Sequence, residues 1–300
     1  MAHDFFYPGF ERRRVQTDGT DLFLRIGGQG PPLLLLHGYP QTHVMWHKVA
    51  PQLAGDFTLV IPDLPGYGDS IGPAPDVDHR AYSKRAMAAD MISLMDQLGF
   101  VQFGLAGHDR GARVGYRLAL DHPGRVTRLA MLDIVPTLDA WEAMGWRQAL
   151  STYHWPFLAV PPPVPERLIG NDPAFYLEHL LSRWAGRREA LDDAAVAEYY
   201  RAFRRPEVIQ ATCEDYRAGA SVDRDNDLAD REAGKRIDCP VLVIWGRGYL
   251  AAKADSPLAV WQRWASDVRE RALECGHFVA EEEPEACGTA LRGFFTGDEQ

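Results

Sequence analysis

The stretch Phe103-Gly104-Leu105-Ala106-Gly107-His108-Asp109-Arg110-Gly111-Ala112-Arg113 decides the fold. Its first four residues make a short run of apolar and small residues. Beyond it Val114, Leu118 and Ala119 fall on one face of a helical pattern. At the junction one polar residue, Asp109, is bracketed by Gly107 and Gly111. Strand, sharp turn and helix in that order, with small residues on either side of one reactive group, describe a nucleophile elbow. The glycines let the turn pack tightly and lift the central side chain clear of the sheet. An aspartate would also serve as a helix N-cap, but capping alone leaves the paired glycines without a purpose.

Outward from the elbow, the chain alternates strand and helix. Residues 10–30 alternate polar and apolar as an antiparallel hairpin does. Gly27-Gly28-Gln29-Gly30 is not followed by a helix, so it is not read as a phosphate loop. Residues 31–36 form an apolar run suited to a strand buried on both faces, ending at His37-Gly38-Tyr39-Pro40-Gln41-Thr42. A helix is expected over 46–53, a strand over 57–61, and a helix over 82–98 with Met87, Met91, Leu94 and Leu98 at helical spacing. After the elbow come strands over 126–132 and 240–246, a last edge strand over 268–273, and a closing helix over 284–295. The alternation is lost from 137 to 236, where helical patterns occur near 173–185, 192–204 and 206–219 and no strand stands out. These patterns predict an α/β fold: a mostly parallel central sheet flanked by helices, its core made from 1–136 and 237–300, with a helical cap inserted over 137–236.

Composition narrows the function. The net charge of −10 makes nucleic acid and anionic membranes poor partners, and any anionic substrate needs a local cluster of positive charge. Cys213, Cys239, Cys275 and Cys287 show neither CxxC pairing nor zinc spacing, consistent with reduced thiols. The N-terminus lacks a basic region followed by an apolar one, and no apolar run nears the ~20 residues that span a bilayer. The expectation is a cytoplasmic protein.

Ligands of open α/β sheets bind beyond the carboxyl ends of the strands. His37, Asp109, Asp133 and His277 all lie at such ends, and nucleophile, acid and histidine follow the chain order of the α/β-hydrolases. The one G-x-S-x-G match, Gly68-Asp69-Ser70-Ile71-Gly72, runs into Pro73-Ala74-Pro75. No helix can start there, so Ser70 is read as a turn residue. A carboxylate nucleophile forms an ester on the enzyme. This suits displacement at saturated carbon, as in hydrolytic dehalogenation or epoxide opening. Asp133, directly after a strand, is preferred over Asp255 as the partner of His277. Arg110 and Arg113 stand at the positive end of a helix, where cations are disfavoured. That placement suggests an anionic ligand held by paired guanidiniums.

His37-Gly38-Tyr39-Pro40-Gln41-Thr42, Gly107 to Arg113, Leu132-Asp133-Ile134-Val135-Pro136, Tyr153-His154-Trp155 and Cys213-Glu214-Asp215-Tyr216-Arg217-Ala218 together resemble the fluoroacetate (haloacetate) dehalogenases of the α/β-hydrolase superfamily. The resemblance runs through nearly the whole chain. It implies Asp109 as nucleophile, His277 as base, Asp133 as its orienting acid, and Arg110 and Arg113 on the substrate carboxylate. It further implies a halide pocket of His154, Trp155 and Tyr216, and an oxyanion hole from the backbone N–H groups of Tyr39 and Arg110. Tyr39 replaces the phenylalanine usual in that family. No cofactor or metal is implied; the substrate would be a small anionic haloacid and the assembly a homodimer. An epoxide hydrolase is the nearest alternative, with Tyr153, Tyr199, Tyr200 and Tyr216 available as proton donors. A non-catalytic sensor of small acids is the other. Residues 247–256 receive no role.

Overall fold

Residues 32–36, 103–108 and 241–246 are almost wholly apolar or small, so each must be covered on both faces, and in the computed structural model each is a central strand. The structure describes residues 5–250 and 256–298. Its strands are β1 (Glu11–Gln16), β2 (Asp21–Gly28), β3 (Pro32–Leu36), β4 (Thr58–Pro62), β5 (Phe103–His108), β6 (Val126–Leu132), β7 (Val241–Gly246) and β8 (Val268–Leu273). They form one sheet in the order β1-β2-β4-β3-β5-β6-β7-β8. The first hairpin is antiparallel, as is β2 against β4, and all other pairs are parallel. The edge strand β1 is mostly exposed, whereas β5 and β7 are buried throughout.

The chain passes from β3 to β4 on one side and then crosses to β5 on the other, so a crevice opens beyond the ends of β3 and β5. Register fixes what meets there. Leu36 pairs with Gly107 and His108 pairs with Leu132, which sets the loop after β3, Asp109 and Asp133 side by side. Leu132 pairs with Ile244, which brings in the end of β7.

Between β6 and β7 the described elements are all helical. Pro173–Trp184, Asp193–Phe203 and Pro206–Ala220 lie where the apolar spacing puts them. Val222–Glu232 carries no apolar pattern because its inward face is charged. Asp223, Asp227 and Asp230, spaced one helical turn apart, are buried. Asp223 accepts from the Lys84 N–H (2.7 Å), Asp227 from Arg117 Nη2 (2.6 Å) and Tyr116 Oη (2.8 Å), and Asp230 from Arg117. The expected helix over 46–53 is instead a 3-10 turn, His43–Trp46, and a short helix, Ala50–Leu53, with Pro51 in its first turn.

Ser70 is structural. Its Oγ donates to the Asp63 carbonyl (2.8 Å) and accepts from the Phe23 N–H (2.9 Å), tying its turn to β2. The four cysteines are free thiols. Among the described residues no helix is long and apolar enough to cross a membrane.

Candidate active site

Asp109 opens the helix Asp109–Asp121 with φ at +44°, a left-handed value that costs a non-glycine residue energy and persists only where the surroundings enforce it. The enforcement is visible. A Cβ on Gly111 would lie 2.4 Å from the His37 carbonyl oxygen, and one on Gly107 would lie 2.7 Å from the Gly111 backbone. The turn is therefore pressed against the loop after β3, and Asp109 is held at its apex. Its Oδ1 accepts from the Tyr39 N–H at 3.0 Å, and its Oδ2 stands 3.9 Å from His277 Nε2. Burial pushes the carboxyl up, but the neighbouring His277, Arg110, His108 and Arg113 outweigh it and hold the group down at about 2. Asp109 is thus ionised at neutral pH.

His277 follows β8. Its Nδ1 is 2.6 Å from Asp133 Oδ2, while Asp133 Oδ1 accepts from the Gly246 N–H at 2.9 Å. With a proton on Nδ1 held by that carboxylate, the Nε2 lone pair faces Asp109. Asp255 lies outside the described residues. The histidine backbone is also fixed: its N–H donates to the Trp184 carbonyl (2.9 Å), and its carbonyl accepts from His108 Nε2 (2.8 Å). Burial and the neighbouring His277 lower His108 to about 3, so it stays neutral.

The two arginines do not share one environment. Arg110 is engaged by Asp215, with Nε 3.1 Å from each carboxylate oxygen and Nη2 2.8 Å from the Asp215 carbonyl. Lys84 pairs with the same carboxylate, and Tyr67 Oη donates to it at 2.7 Å. Arg110 is therefore held in an internal ion pair, whereas its position beside Asp109 in the sequence suggests a grip on substrate shared with Arg113. Only its Nη1 is without a hydrogen-bond partner. Arg113 differs. Its Nη1 donates to two neutral acceptors, the Val135 carbonyl and Thr137 Oγ1 (both 3.0 Å), and among the described residues its Nε has no partner and no carboxylate pairs with it. Burial, then the like charge of Arg110, lowers its pKa, so the site strains this cation.

A cavity of about 160 Å³ opens at this point, lined by Asp109, Arg113, Asp133, His154, Trp155 and His277 among others. Apolar groups including Ala140, Met144 and Val260 continue the wall, and Asp139 and Arg263, which pair with one another, also border it. Trp155 stacks on the Arg113 guanidinium at 4.6 Å, and Tyr216 on that of Arg110 at 4.1 Å. The His154 ring lies 5.7 Å from that of Tyr216. The structure thus gathers Asp109, Asp133, His277, Arg113, His154 and Trp155 around one cavity, with Arg110 and Tyr216 packed behind.

Of the other tyrosines considered as proton donors, Tyr199 is 3.4 Å from Gln41 Nε2, Tyr200 donates to Glu178 (2.8 Å), and the Tyr153 ring packs on His179 (5.9 Å). None of the three lines the cavity. Two residues with no sequence signal do contribute. Tyr249 borders the cavity with its ring 4.4 Å from His277, and Trp184 packs between His277 (5.6 Å) and His154 (4.5 Å).

A profile for the alpha/beta hydrolase fold matches residues 31–284. The chain belongs to the α/β-hydrolase family. Among relatives of this α/β-hydrolase, a fluoroacetate dehalogenase from Burkholderia sp is 42% identical over 291 residues, covering 97% of this chain and 95% of that protein. A soluble epoxide hydrolase from Corynebacterium sp. (strain C12) is 36% identical over 286 residues, covering 94% and 96%. A solved α/β-hydrolase structure from Nostoc sp PCC 7120 is 50% identical, with a TM-score of 0.94 and coverage of 97% and 99%. The reaction class of this α/β-hydrolase is therefore hydrolytic.

Proposed function

We propose that this hydrolase converts a 2-haloacetate to glycolate and halide through an ester on Asp109. The observation that carries the reading is Arg113: a buried guanidinium beside Asp109 on the cavity wall, with no carboxylate partner among the described residues. Such a charge asks for an anionic substrate. The 42% identity to a fluoroacetate dehalogenase supports the same choice.

In this mechanism Asp109 Oδ2 attacks the substrate Cα as the carbon–halogen bond breaks, and the halide leaves with the bonding pair. The carboxylate, ionised down to low pH, needs no base for this step. Halide is poorly stabilised in a dry site unless donors are aimed at it; His154 and Trp155 on the cavity wall, with Tyr216 packed behind them, are assigned that task. Oδ1, already bonded to the Tyr39 N–H, becomes the ester carbonyl oxygen. Water deprotonated by His277 then attacks Cγ. The Tyr39 N–H, with that of Arg110, holds the oxyanion, and its collapse expels glycolate, which takes the proton back from His277. Asp133 stabilises the imidazolium between the two transfers. The helical insertion over 137–236 acts as the cap that supplies the halide pocket.

One observation favours a second reading. Tyr216 and Tyr249 both lie close enough to Asp109 for its charge to raise their pKa values, though burial is the larger cause. Two neutral phenols, Tyr249 on the cavity wall and Tyr216 packed behind it, would suit an epoxide oxygen, and a soluble epoxide hydrolase is a 36% identical relative. Halide release from fluoroacetate and chloroacetate, beside styrene oxide hydrolysis, with Asp109→Asn as control, separates the two. Halide release by the native enzyme alone supports the first; diol formation without halide release supports the second.

A further inference from the structure

The loop that carries His277 leaves β8 with three successive backbone N–H groups, at 276, 277 and 278, that have no strand to bond. Buried amides left unpaired cost stability and order. One goes to the Trp184 carbonyl at the end of the helix Pro173–Trp184. The other two go to a single side chain, Glu282, which accepts from the Gly276 N–H at 3.0 Å and the Phe278 N–H at 3.1 Å. The same carboxylate accepts from the Gly186 N–H at 2.8 Å and the Arg187 N–H at 3.0 Å, both in the helical insertion. Arg187 Nη2 adds a bond to the Glu282 carbonyl at 2.7 Å. Glu282 is 3% exposed and does not border the cavity.

We propose that Glu282 is a positioning residue that holds His277 at its working distance from Asp109 and ties that distance to the placement of the helical insertion. The two backbones it joins are in contact. A Cβ on Gly276 would lie 2.1 Å from the Gly186 nitrogen, and one on Gly186 would lie 2.7 Å from the Gly276 nitrogen and 3.0 Å from Glu282 Oε2. Only glycine fits on either side, so a shift of the insertion is passed directly to the His277 loop. Trp184, two residues before Gly186, carries the same shift to the base, because its ring packs 5.6 Å from that of His277. The base is thereby set when the insertion is seated, which is also when the cavity is walled.

The inference rests on ester chemistry at Asp109, as proposed above, but not on the choice of substrate. Its signature is a kinetic split. Ester formation uses the ionised Asp109 and does not need His277, whereas ester decay needs His277 Nε2 placed for the attacking water. Misplacing a catalytic group by about 1 Å costs on the order of 100-fold. Rapid-quench measurement of chloride release, with intact-protein mass to follow the ester, gives the two rate constants separately. Glu282→Gln is expected to slow ester decay by about 10- to 100-fold while ester formation stays within about twofold. Gly186→Ala, which leaves every polar group in place but pushes the backbones apart, is expected to show the same split. Equal loss in both steps, or unchanged decay in both variants, overturns the proposal. If the native enzyme releases no halide, the haloacetate reading fails, and the two constants are measured with styrene oxide, whose ester decays through the same histidine. If neither compound esterifies Asp109, this proposal falls with the ester mechanism.

Discussion

Arg113→Gln should separate substrate recognition from fold maintenance. In the structure Arg113 is 3% exposed, its Nη1 is spent on Val135 and Thr137, and its Nε is unpartnered. The edge carrying Nε therefore remains for a bidentate grip on a substrate carboxylate. Truncating one member of a buried, hydrogen-bonded charge pair costs about 2–5 kcal/mol. In kcat/KM that is a loss on the order of 30- to several-thousand-fold. Glutamine keeps a neutral amide but no charge and no guanidinium fork, so the upper half of this range is expected for chloroacetate. Chloroacetamide has nearly the same shape and no charge to lose. Its rate of ester formation in a single turnover should change by less than about threefold. Equal losses on the two compounds would refute the reasoning, showing that Arg113 only braces Val135 and Thr137 beside Asp133.

Two further outcomes follow from the same geometry. Asp133→Asn removes the carboxylate that fixes the His277 tautomer at 2.6 Å, so ester decay should fall by about 100-fold or more with ester formation preserved, read as a halide burst of one per enzyme. Glu281 is buried against Gln41 and Tyr199, and burial raises its carboxyl to about 8. A carboxyl raised in the folded state stabilises below its unfolded value of 4.5 and loses that stabilisation as pH climbs through about 8. Glu281→Gln, which mimics the protonated acid, should therefore raise Tm relative to the native protein at pH 9 and have little effect at pH 5. An increase confined to pH 5 would reverse the sign and contradict the assignment.

The fold could be read from sequence because its decisive features are local. The elbow needs glycine, reactive residue and glycine at alternate positions within five residues, and the central strands need unbroken apolar runs; both survive without knowledge of partners. Asp133 and His277 were legible through chain order and their places after strands. The roles that depend on distant partners were not. Asp109, Arg110 and Arg113 share one stretch, and spacing alone makes the arginines look equivalent. What separates them is Asp215, 105 residues after Arg110, which the fold brings onto one guanidinium and not the other. The helix Val222–Glu232 leaves no apolar pattern for a related reason: it docks through aspartates onto Arg117 and Lys84, and apolar periodicity does not register a charged face. Tyr249 lies in a loop with no pattern, and only the packing of its ring on His277 draws it into the site.

The central claim is that Asp109 itself supplies the oxygen that replaces the halogen. A single turnover with enzyme in excess over chloroacetate, run in ¹⁸O-water, tests it most directly. The account predicts glycolate whose hydroxyl oxygen is unlabelled, and a peptide containing Asp109 that gains one heavy oxygen. Glycolate labelled in full, with an unlabelled Asp109 peptide, would mean direct attack by water and would contradict the account.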